Sequence, residues 1–307
     1  MAITLTQLRS FLAVVREGST AAAADRLFVT QPSISAAVSA LSEELGVKLT
    51  ERIGRGVRPS PAGEAFTDYA ADVIGLLEQG RRAALEAAGV ADRELRIAAV
   101  TTAAEYLVPT LMQAFRERHP SIMLTLDVGN RDRVLRQLLD HDVDIAIGGR
   151  PPGGDRLTGA AFMVNEIALI ARPDNPLVGG DAVTGEQLGA CTWLLREEGS
   201  GTRAMTEHYL EAHGLRPRVL TLGSNGAIKH AARAGLGISL QSRLAIELEL
   251  EAGVLRTVPV TTPLPQRDWY VLRAAVGPRR PHVDGFMSFV AGSEAQAVLR
   301  DYRKTSW

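Results

Sequence analysis

Eight residues between positions 30 and 55 combine short polar side chains with arginines, a combination that suits contact with a nucleic acid. Hydroxyl and amide groups can reach base edges or phosphates without bulk, and guanidinium groups can follow a phosphate backbone. We therefore predict a DNA-binding set that consists of Thr30, Gln31, Pro32, Ser33, Ser35, Ser39, Arg52 and Arg55.

Two helices are predicted to position the first part of this set. Ala21 to Ala24 indicate a helix so thin that a second helix can cross it closely. Thr30 and Pro32 are typical of the start of that second helix, and Gly46 of its end. Its apolar residues recur at helical spacing and leave the polar face to solvent; they are Ile34, Val38, Leu41 and Leu45.

A β-wing is predicted over residues 49–61, with Arg52, Arg55 and Arg58 at every third position. The same stretch of chain also fits an ordinary pair of packed helices with a solvated arginine loop. Charge does not separate the two interpretations, because residues 1–90 carry nine basic and ten acidic side chains. Any basic surface in this region must therefore be local.

A longer set of residues resembles the DNA-binding domain of LysR-type transcriptional regulators. The resemblance rests on Leu8, Phe11, Val14, Gly18, Ser19, Ala23, Ala24, Leu27, residues 30–35, Leu41, Leu45, Gly46, Leu49, Arg52 and residues 61–63. It implies a winged helix-turn-helix domain, all-α apart from its wing, over residues 1–60. It further implies groove contacts by Gln31, Pro32 and Ser35, a phosphate contact by Thr30, and wing contacts by Arg52 and Arg55.

Residues 61–90 are predicted to form a linker helix for dimerisation. Their apolar residues recur with a period of 3.5, which suits packing against a partner helix; they are Phe66, Tyr69, Val73, Leu76, Ala83 and Ala87. The same stripe could dock on the rest of its own chain, but the family resemblance favours a homo-oligomer, either a dimer or a tetramer. Two recognition helices related by a two-fold axis would then read an inverted repeat in promoter DNA.

Composition favours a cytoplasmic protein without membrane contact. The 307 residues carry a formal charge of −1, which gives no long-range attraction to nucleic acid or membrane. There is no secretion signal or membrane-spanning apolar run, and the single Cys191 excludes an internal disulfide. The six histidines show no metal-binding spacing and no nucleophile motif is present, so we expect no metal, no cofactor and no catalytic residue.

Residues 91–307 alternate short apolar strands with helices, which predicts doubly wound α/β sheets. We expect strands at 95–100, 123–128, 143–147, 162–171, 192–195, 219–222, 238–240 and 269–273, and helices at 104–118, 131–140, 202–213, 227–234, 243–251 and 283–291. Their order predicts lobe I over 91–163 and 268–307 and lobe II over 164–267, with a cleft between them. Residues 95–290 resemble the periplasmic-binding-protein-like effector domain of the same family.

Small polar residues follow many of these predicted strands. Ligands of open α/β sheets bind beyond the carboxyl ends of strands, where hydroxyls and free backbone N–H groups suit a compact anion. The predicted effector-binding set is Thr101, Thr102, Asn130, Gly148, Ser200, Gly201, Thr202, Ser224 and Asn225. Each could instead be a simple helix N-cap. Segments 198–203, 224–229 and 234–238 resemble the family branch that includes carbon-fixation and sulfur-assimilation regulators, which implies a small anionic metabolite as the effector.

These expectations describe a regulator whose promoter binding changes when a small anion binds its effector domain. Two alternatives stay open: a constitutive DNA-binding protein without a ligand, and an enzyme that uses the α/β cleft. Cys191 opens an apolar strand, so we expect it to be structural rather than redox-active. Arg203 and Lys229 are candidate counter-charges for the anion, although solvated helix positions are the simpler interpretation.

Overall fold

A computed structural model of the protein describes residues 2–54 and 56–305, with the backbone alone for residues 301–305. The chain forms two compact units. The first comprises Met1–Asp92 and Leu139–Asp142, and the second comprises Arg93–Leu138 and Val143–Trp307.

The first unit is a helical domain with a two-stranded hairpin. Its elements in chain order are α1 (Leu5–Glu17), α2 (Thr20–Leu27), α3 (Gln31–Leu45), β1 (Thr50–Ile53), β2 (Gly56–Pro59) and α4 (Pro61–Ala87). The strands β1 and β2 pair antiparallel. The predicted helix pair and wing are therefore present.

Local sequence sets the ends of these helices. Each begins at a hydroxyl N-cap whose side-chain oxygen accepts a hydrogen bond from a backbone N–H of the first turn; the caps are Thr4, Ser19, Thr30 and Ser60. The helix α3 ends at Gly46, whose φ of 70° lies in the left-handed region that glycine adopts without strain.

The core of the first unit packs around α1. Phe11, Ile34 and Leu41 are at most 1% exposed. The fully buried residues that α2 adds to this core are only Ala23 and Ala24. As predicted, the small side chains of α2 let its neighbours α1 and α3 approach closely.

The second unit contains two α/β lobes. Its elements in chain order are β3 (Arg93–Val100), α5 (Thr101–Tyr106), α6 (Val108–Arg118), β4 (Ile122–Gly129), α7 (Arg131–Leu139), β5 (Ile145–Gly148), β6 (Leu157–Asn165), β7 (Ile167–Ala171), α8 (Gly185–Gly189), β8 (Thr192–Leu195), α9 (Gly201–Ala212), β9 (Arg218–Thr221), α10 (Asn225–Arg233), β10 (Ser239–Ser242), α11 (Arg243–Glu251), β11 (Arg256–Thr257), β12 (Arg267–Ala274), α12 (Pro281–Ala291) and α13 (Ser293–Thr305).

The sheets of both lobes are mixed. Lobe I has the strand order β4-β3-β5-β12-β6, in which the first three strands are parallel and β12 runs antiparallel to both of its neighbours. Lobe II has the antiparallel order β10-β7-β11 and the parallel pair β8-β9, with a bridge between Trp193 and Ile238. The predicted βαβαβ order is present in lobe I, and the strand that returns late in the chain makes its sheet mixed.

Two predicted elements differ from the structure. The helix expected over 104–118 is two helices, α5 and α6, because Leu107 leaves helical geometry with φ −125° and ψ −51°. The strand expected over 162–171 is likewise two strands, β6 and β7, which belong to different sheets. The short elements α8 and β11 and the final helix α13 were not predicted.

The chain crosses between the lobes at slightly different residues from those predicted. The first crossover comes after residue 163, and the second comes one residue before 268. The strand β6 ends at Asn165 and β12 begins at Arg267, and these two residues pair with each other. Lobe I therefore extends past residue 163 and resumes at 267 instead of 268. Alternating hydrophobicity shows that a strand exists but not which sheet it joins, so it cannot place this boundary.

Within the part of the chain that the structure describes, no helix is long and apolar enough to cross a membrane. The same residues contain no group of three or more histidine, cysteine or acidic side chains that could hold a metal ion.

Gly63 tests how the wing is joined to α4. A Cβ at Gly63 would overlap the carbonyl oxygen of Leu49, so we expect Gly63→Ala to cost about 1–3 kcal/mol of local stability. Hydrogen exchange of residues 49–63 should become at least about fivefold faster.

Gly285→Ala is the matched control, because an added Cβ there has no neighbour within 4 Å. It should leave exchange in α12 unchanged or slower, since alanine favours a helix interior by about 1 kcal/mol over glycine. Unchanged exchange of residues 49–63 in Gly63→Ala would contradict the described packing.

Candidate functional site

The polar face of α3 is exposed, as predicted. Ile34 and Leu41 are buried in the core of the first unit, which turns the opposite face of the helix outward. The predicted contact residues on this face are all exposed: Thr30, Gln31, Pro32, Ser33, Ser35 and Ser39. The structure therefore presents this part of the predicted set on one accessible surface.

The N-terminus of α3 is held by the side chains of Thr30 and Gln31. The Thr30 hydroxyl accepts a hydrogen bond from the backbone N–H of Ser33 at 3.4 Å and lies 2.8 Å from the Ser33 hydroxyl. The Gln31 Nε2 donates to the Thr20 hydroxyl at 3.0 Å, which ties Gln31 to the start of α2. These contacts orient the side chains of Thr30 and Gln31 at the N-terminus of α3. In a groove-binding helix, the N-terminal residues are the ones that contact the bases.

The wing carries less free charge than its sequence suggests. Arg58 lies opposite Glu51 in the hairpin and makes an ion pair with it at 3.2 Å. Arg52 is exposed and makes no ion pair with any described carboxylate. Arg55 lies outside the described residues. Of the wing arginines in the described part of the chain, Arg52 is thus the one available for a phosphate.

A small pocket with a cavity volume of about 30 Å³ lies between the two lobes of the second unit. The residues that line it are Val100, Thr101, Thr102, Gly129, Asn130, Arg131, Gly149, Asn165, Ile167, Arg196, Ser200, Gly201, Thr202, Ser242, Arg267 and Trp269. Six of the nine predicted effector-binding residues are among them: Thr101, Thr102, Asn130, Ser200, Gly201 and Thr202.

The other three predicted residues, Gly148, Ser224 and Asn225, do not line the pocket. Gly148 ends β5 against Val100, and Ser224 caps α10 by accepting a hydrogen bond from Ala227 at 3.1 Å. Asn225 is 2% exposed and lies behind the pocket, where its side chain bonds Thr102 at 3.0 Å. In this structure these three residues support the surroundings of the pocket and are not part of its lining.

Several neutral groups of the pocket are already used within the protein. The Asn130 amide accepts from the backbone of Arg133 and donates to the carbonyl oxygen of Glu198 at 3.2 Å. The Ser242 hydroxyl donates to Asn165 at 2.6 Å. Ser200 caps α9 and accepts from Thr202 at 3.3 Å. These small polar residues therefore make hydrogen bonds mainly within the protein, and they leave few free donors for a ligand.

Two arginines supply the unpaired charge of the pocket. Arg131 begins α7 and Arg267 begins β12, and their guanidinium groups lie 3.4 Å and 2.8 Å from the position that a Cβ on Gly149 would occupy. Burial lowers the pKa of both, and the positive charge of Arg131 lowers the pKa of Arg267 further. Neither makes an ion pair with a described carboxylate, and each donates to one carbonyl oxygen, that of Arg150 or Gly201.

A third arginine, Arg196, is neutralised. Its side chain is 4% exposed, and its guanidinium group donates to both oxygens of Glu197 and to Asn225. Arg196 therefore contributes a fixed wall to the pocket, while Arg131 and Arg267 contribute its net positive charge.

None of the described residues that line the pocket is a carboxylate. Trp269 also lines it, and the buried indole Nε1 of this residue has no hydrogen-bond partner among the described residues. A buried donor without a partner is costly, and so are two like charges that are partly removed from water.

The sequence prediction missed every arginine of this pocket. Arg131 directly follows Asn130, and Arg267 lies at the second crossover between lobes, so both stood beside predicted features. Inspection of the crossovers in addition to the strand ends could have found Arg267 and Asn165. The sequence gives no comparable signal for Arg196.

The remaining candidates are occupied elsewhere. Arg203 pairs with Glu207 at 2.7 Å and Lys229 pairs with Glu249 at 2.8 Å, and neither lines the pocket. Cys191 is half-buried, and burial raises the pKa of its thiol, which disfavours the reactive thiolate. Cys191 thus agrees with a structural role. Arg203 and Lys229 are paired side chains that are only 20% and 15% exposed, so they are not the solvated positions that the sequence suggested.

Comparison with known proteins connects both surfaces to one family. Residues 5–64 match the model "Bacterial regulatory helix-turn-helix protein, lysR family", and residues 88–294 match the model "LysR substrate binding domain". The chain is 36% identical to the RuBisCO operon transcriptional regulator of Allochromatium vinosum, over 98% of this chain and 99% of the relative. It is 34% identical to the transcriptional activator CmpR of Synechocystis, over 88% of each chain.

Solved structures extend the comparison. The regulatory domain of Synechocystis CcmR, solved in complex with 2-PG, is 31% identical, with a TM-score of 0.61 over 64% of this chain and 95% of that one. CbnR, a LysR family regulator, shares the fold with a TM-score of 0.57 over 96% of this chain and 99% of that one, at 22% identity. The chain belongs to the LysR family of DNA-binding transcriptional regulators, among relatives of the carbon-fixation branch.

Proposed function

We propose that this regulator binds promoter DNA through α3 and the wing, and that a small anion in the pocket between the lobes changes its DNA occupancy. The observation that carries the proposal is the pair of guanidinium groups of Arg131 and Arg267, neither in an ion pair with a described carboxylate, in a pocket that no described Asp or Glu lines. The complex of the CcmR regulatory domain with 2-PG supports it. The anion is the only small molecule that the proposal requires, and the site of action is the cytoplasm.

The charge of the pocket sets the class of ligand. Arginine stays protonated at neutral pH, so Arg131 and Arg267 together carry two positive charges. Each guanidinium has N–H groups beyond the one that reaches a protein carbonyl. An anion with one charge would neutralise half of this pair, whereas phosphate or sulfate groups, or two carboxylates, match it.

Binding at this position can change how the lobes meet. Hydrogen bonds already join the lobes around the pocket, among them Asn225 to Thr102, Asn130 to the carbonyl oxygen of Glu198, and Arg267 to the carbonyl oxygen of Gly201. A ligand held by Arg131 and Arg267 adds contacts at the same boundary. It shifts DNA occupancy if its affinity differs between two states of the oligomer, and a coupling of about 1–3 kcal/mol suffices for a several-fold change.

The linker helix α4 supports a homo-oligomer. Tyr69, Val73 and Leu77 are 70%, 50% and 48% exposed and follow one another at intervals of four residues. The predicted stripe had Leu76 in place of Leu77, but Leu76 is half-buried. Phe66 was also predicted to belong to it, and instead contacts Phe11 in the core of the first unit at a ring distance of 5.8 Å. The exposed stripe therefore starts at Tyr69, and a second copy of α4 is its proposed partner.

Gln31→Ala and Arg52→Ala separate base reading from backbone attraction. We expect Gln31→Ala to reduce the preference for a selected duplex over a scrambled one by about 5- to 100-fold, because an amide contact to a base edge is lost. Arg52→Ala should weaken both duplexes alike and lower the salt slope of binding by about 1. Fluorescence anisotropy across a salt series measures both effects, and the opposite ranking would refute this division of roles.

Arg267→Met tests the pocket. A panel of phosphorylated, sulfur-containing and carboxylic metabolites is screened by thermal shift, and the compounds that stabilise the wild type are retested on the variant. A ligand at a hundredfold excess over its Kd should stabilise the wild type by about 2.7 kcal/mol and raise Tm by about 5–10 °C. Arg267→Met should lose this shift, whereas Arg203→Met, which alters an arginine outside the pocket, should keep it.

The same compounds should change the affinity of the wild type for DNA. Equal thermal shifts in Arg267→Met and the wild type would refute the pocket assignment. If every compound of the panel leaves both Tm and DNA affinity unchanged, the constitutive alternative is favoured instead.

Val73→Asp tests the oligomer surface. A buried charge without a partner is costly, so this substitution should shift the protein toward the monomer in analytical ultracentrifugation. Val90→Asp is the control, since Val90 is 73% exposed and lies beyond the end of α4. An unchanged oligomeric state in Val73→Asp would place the interface elsewhere.

A further inference from the structure

Phe28 is the large apolar side chain that the first unit leaves most exposed among its described residues. It is 95% exposed, while the neighbouring Val29 is 48% exposed. Phe28 follows the last residue of α2 and has φ 56° and ψ 42°, which is the left-handed conformation. Bulky residues rarely adopt this conformation, and glycine is the usual choice at such a helix end.

The fold gives no reason for an aromatic ring at this position. The turn is closed by backbone groups alone: the N–H of Phe28 donates to Asp25 at 3.3 Å, and that of Val29 donates to Ala24 at 3.0 Å. A glycine would supply the same backbone contacts with less strain. Position 28 therefore combines backbone strain with an apolar ring in water, and the folded domain gains no burial in return.

The surroundings of Phe28 indicate what the ring is for. Residues 28–33 are exposed without interruption, and they run from Phe28 into Thr30, Gln31 and Ser33 at the start of α3. The first residues of a recognition helix contact base edges, so a residue three positions before Gln31 lies at the rim of the groove. Deoxyribose rings and thymine methyl groups form the apolar surface of a duplex at such a rim.

We propose that Phe28 packs against this apolar surface of the duplex, either a deoxyribose or a thymine methyl group, and adds affinity without charge. The proposal rests on α3 entering the groove, as the proposed function requires. In this proposal the DNA-binding surface of α3 extends to the turn that precedes the helix. It also explains why the turn carries a phenylalanine where glycine would be less strained.

Phe28→Ala and Phe28→Gly test the proposal in the full-length protein. A duplex selected from a random pool by the wild type serves as the probe, and its Kd is measured across a salt series. Both variants should bind about tenfold more weakly. The reason is that they remove a ring of which roughly half would be buried against the duplex. The salt slope should stay at the wild-type value, since no phosphate contact is removed. Phe28→Gly should also raise Tm, because glycine relieves the left-handed strain.

A duplex in which thymine is replaced by deoxyuridine separates the two forms of the contact. If Phe28 touches a thymine methyl, the wild type loses affinity for this duplex and Phe28→Ala does not. If Phe28 touches deoxyribose, the change from thymine to deoxyuridine affects the wild type and Phe28→Ala alike. Phe28→Ala then binds both the selected and the scrambled duplex more weakly than the wild type does, by the same factor. Val90→Ala, which shortens another exposed apolar residue, should bind like the wild type.

Two results would overturn the proposal. Wild-type affinity in Phe28→Ala would show that the ring does not touch DNA. A changed sedimentation coefficient of Phe28→Ala in the absence of DNA would assign the ring to contacts between copies of the chain. Gln31→Ala distinguishes these failures from failure of the proposed function, since it must lose sequence preference whenever α3 reads the groove.

Discussion

The effector-binding half of this protein depends on two like charges that the fold holds at one boundary. Arg131 and Arg267 come from the start of a helix and the start of a strand, and both approach Gly149, where an added Cβ would displace the guanidinium group of Arg267. Two carboxylates of lobe II pair with other arginines: Glu197 neutralises Arg196, and Glu207 pairs with Arg203. The positive charge of the pocket is the ground on which we propose an anion as its ligand.

The DNA-binding half depends on a different constraint, the thinness of α2. Because α2 contributes only alanines to the fully buried core, α3 can bury Ile34 and Leu41 while its polar face stays exposed. The hydroxyl of Thr20 at the start of α2 then holds Gln31. The short helix α2 therefore both allows α3 to pack closely and orients the side chain of Gln31.

The two surfaces use charge in opposite ways. On the wing, Glu51 pairs with Arg58, so the proposed DNA surface consists of neutral groups of α3 together with Arg52. In the pocket, several neutral groups make internal hydrogen bonds, and the proposed ligand contacts are the arginines. This division fits a regulator with a formal charge of −1, because neither function requires a basic surface over the whole molecule.

Local patterns in the sequence determined the first unit almost completely. Helix ends and faces in this unit are fixed by contacts between residues only a few positions apart. Examples are the N-caps Thr30 and Ser60, the C-cap Gly46 and the apolar stripe from Ile34 to Leu45. The same logic located most strand ends of the second unit and six residues of its pocket. Only the tertiary structure decided that Arg131, Arg196 and Arg267 meet there, and that Asn225 lies behind them. Those positions are up to 136 residues apart, counted from 131 to 267, and their meeting depends on which sheet each strand joins, which no local periodicity encodes.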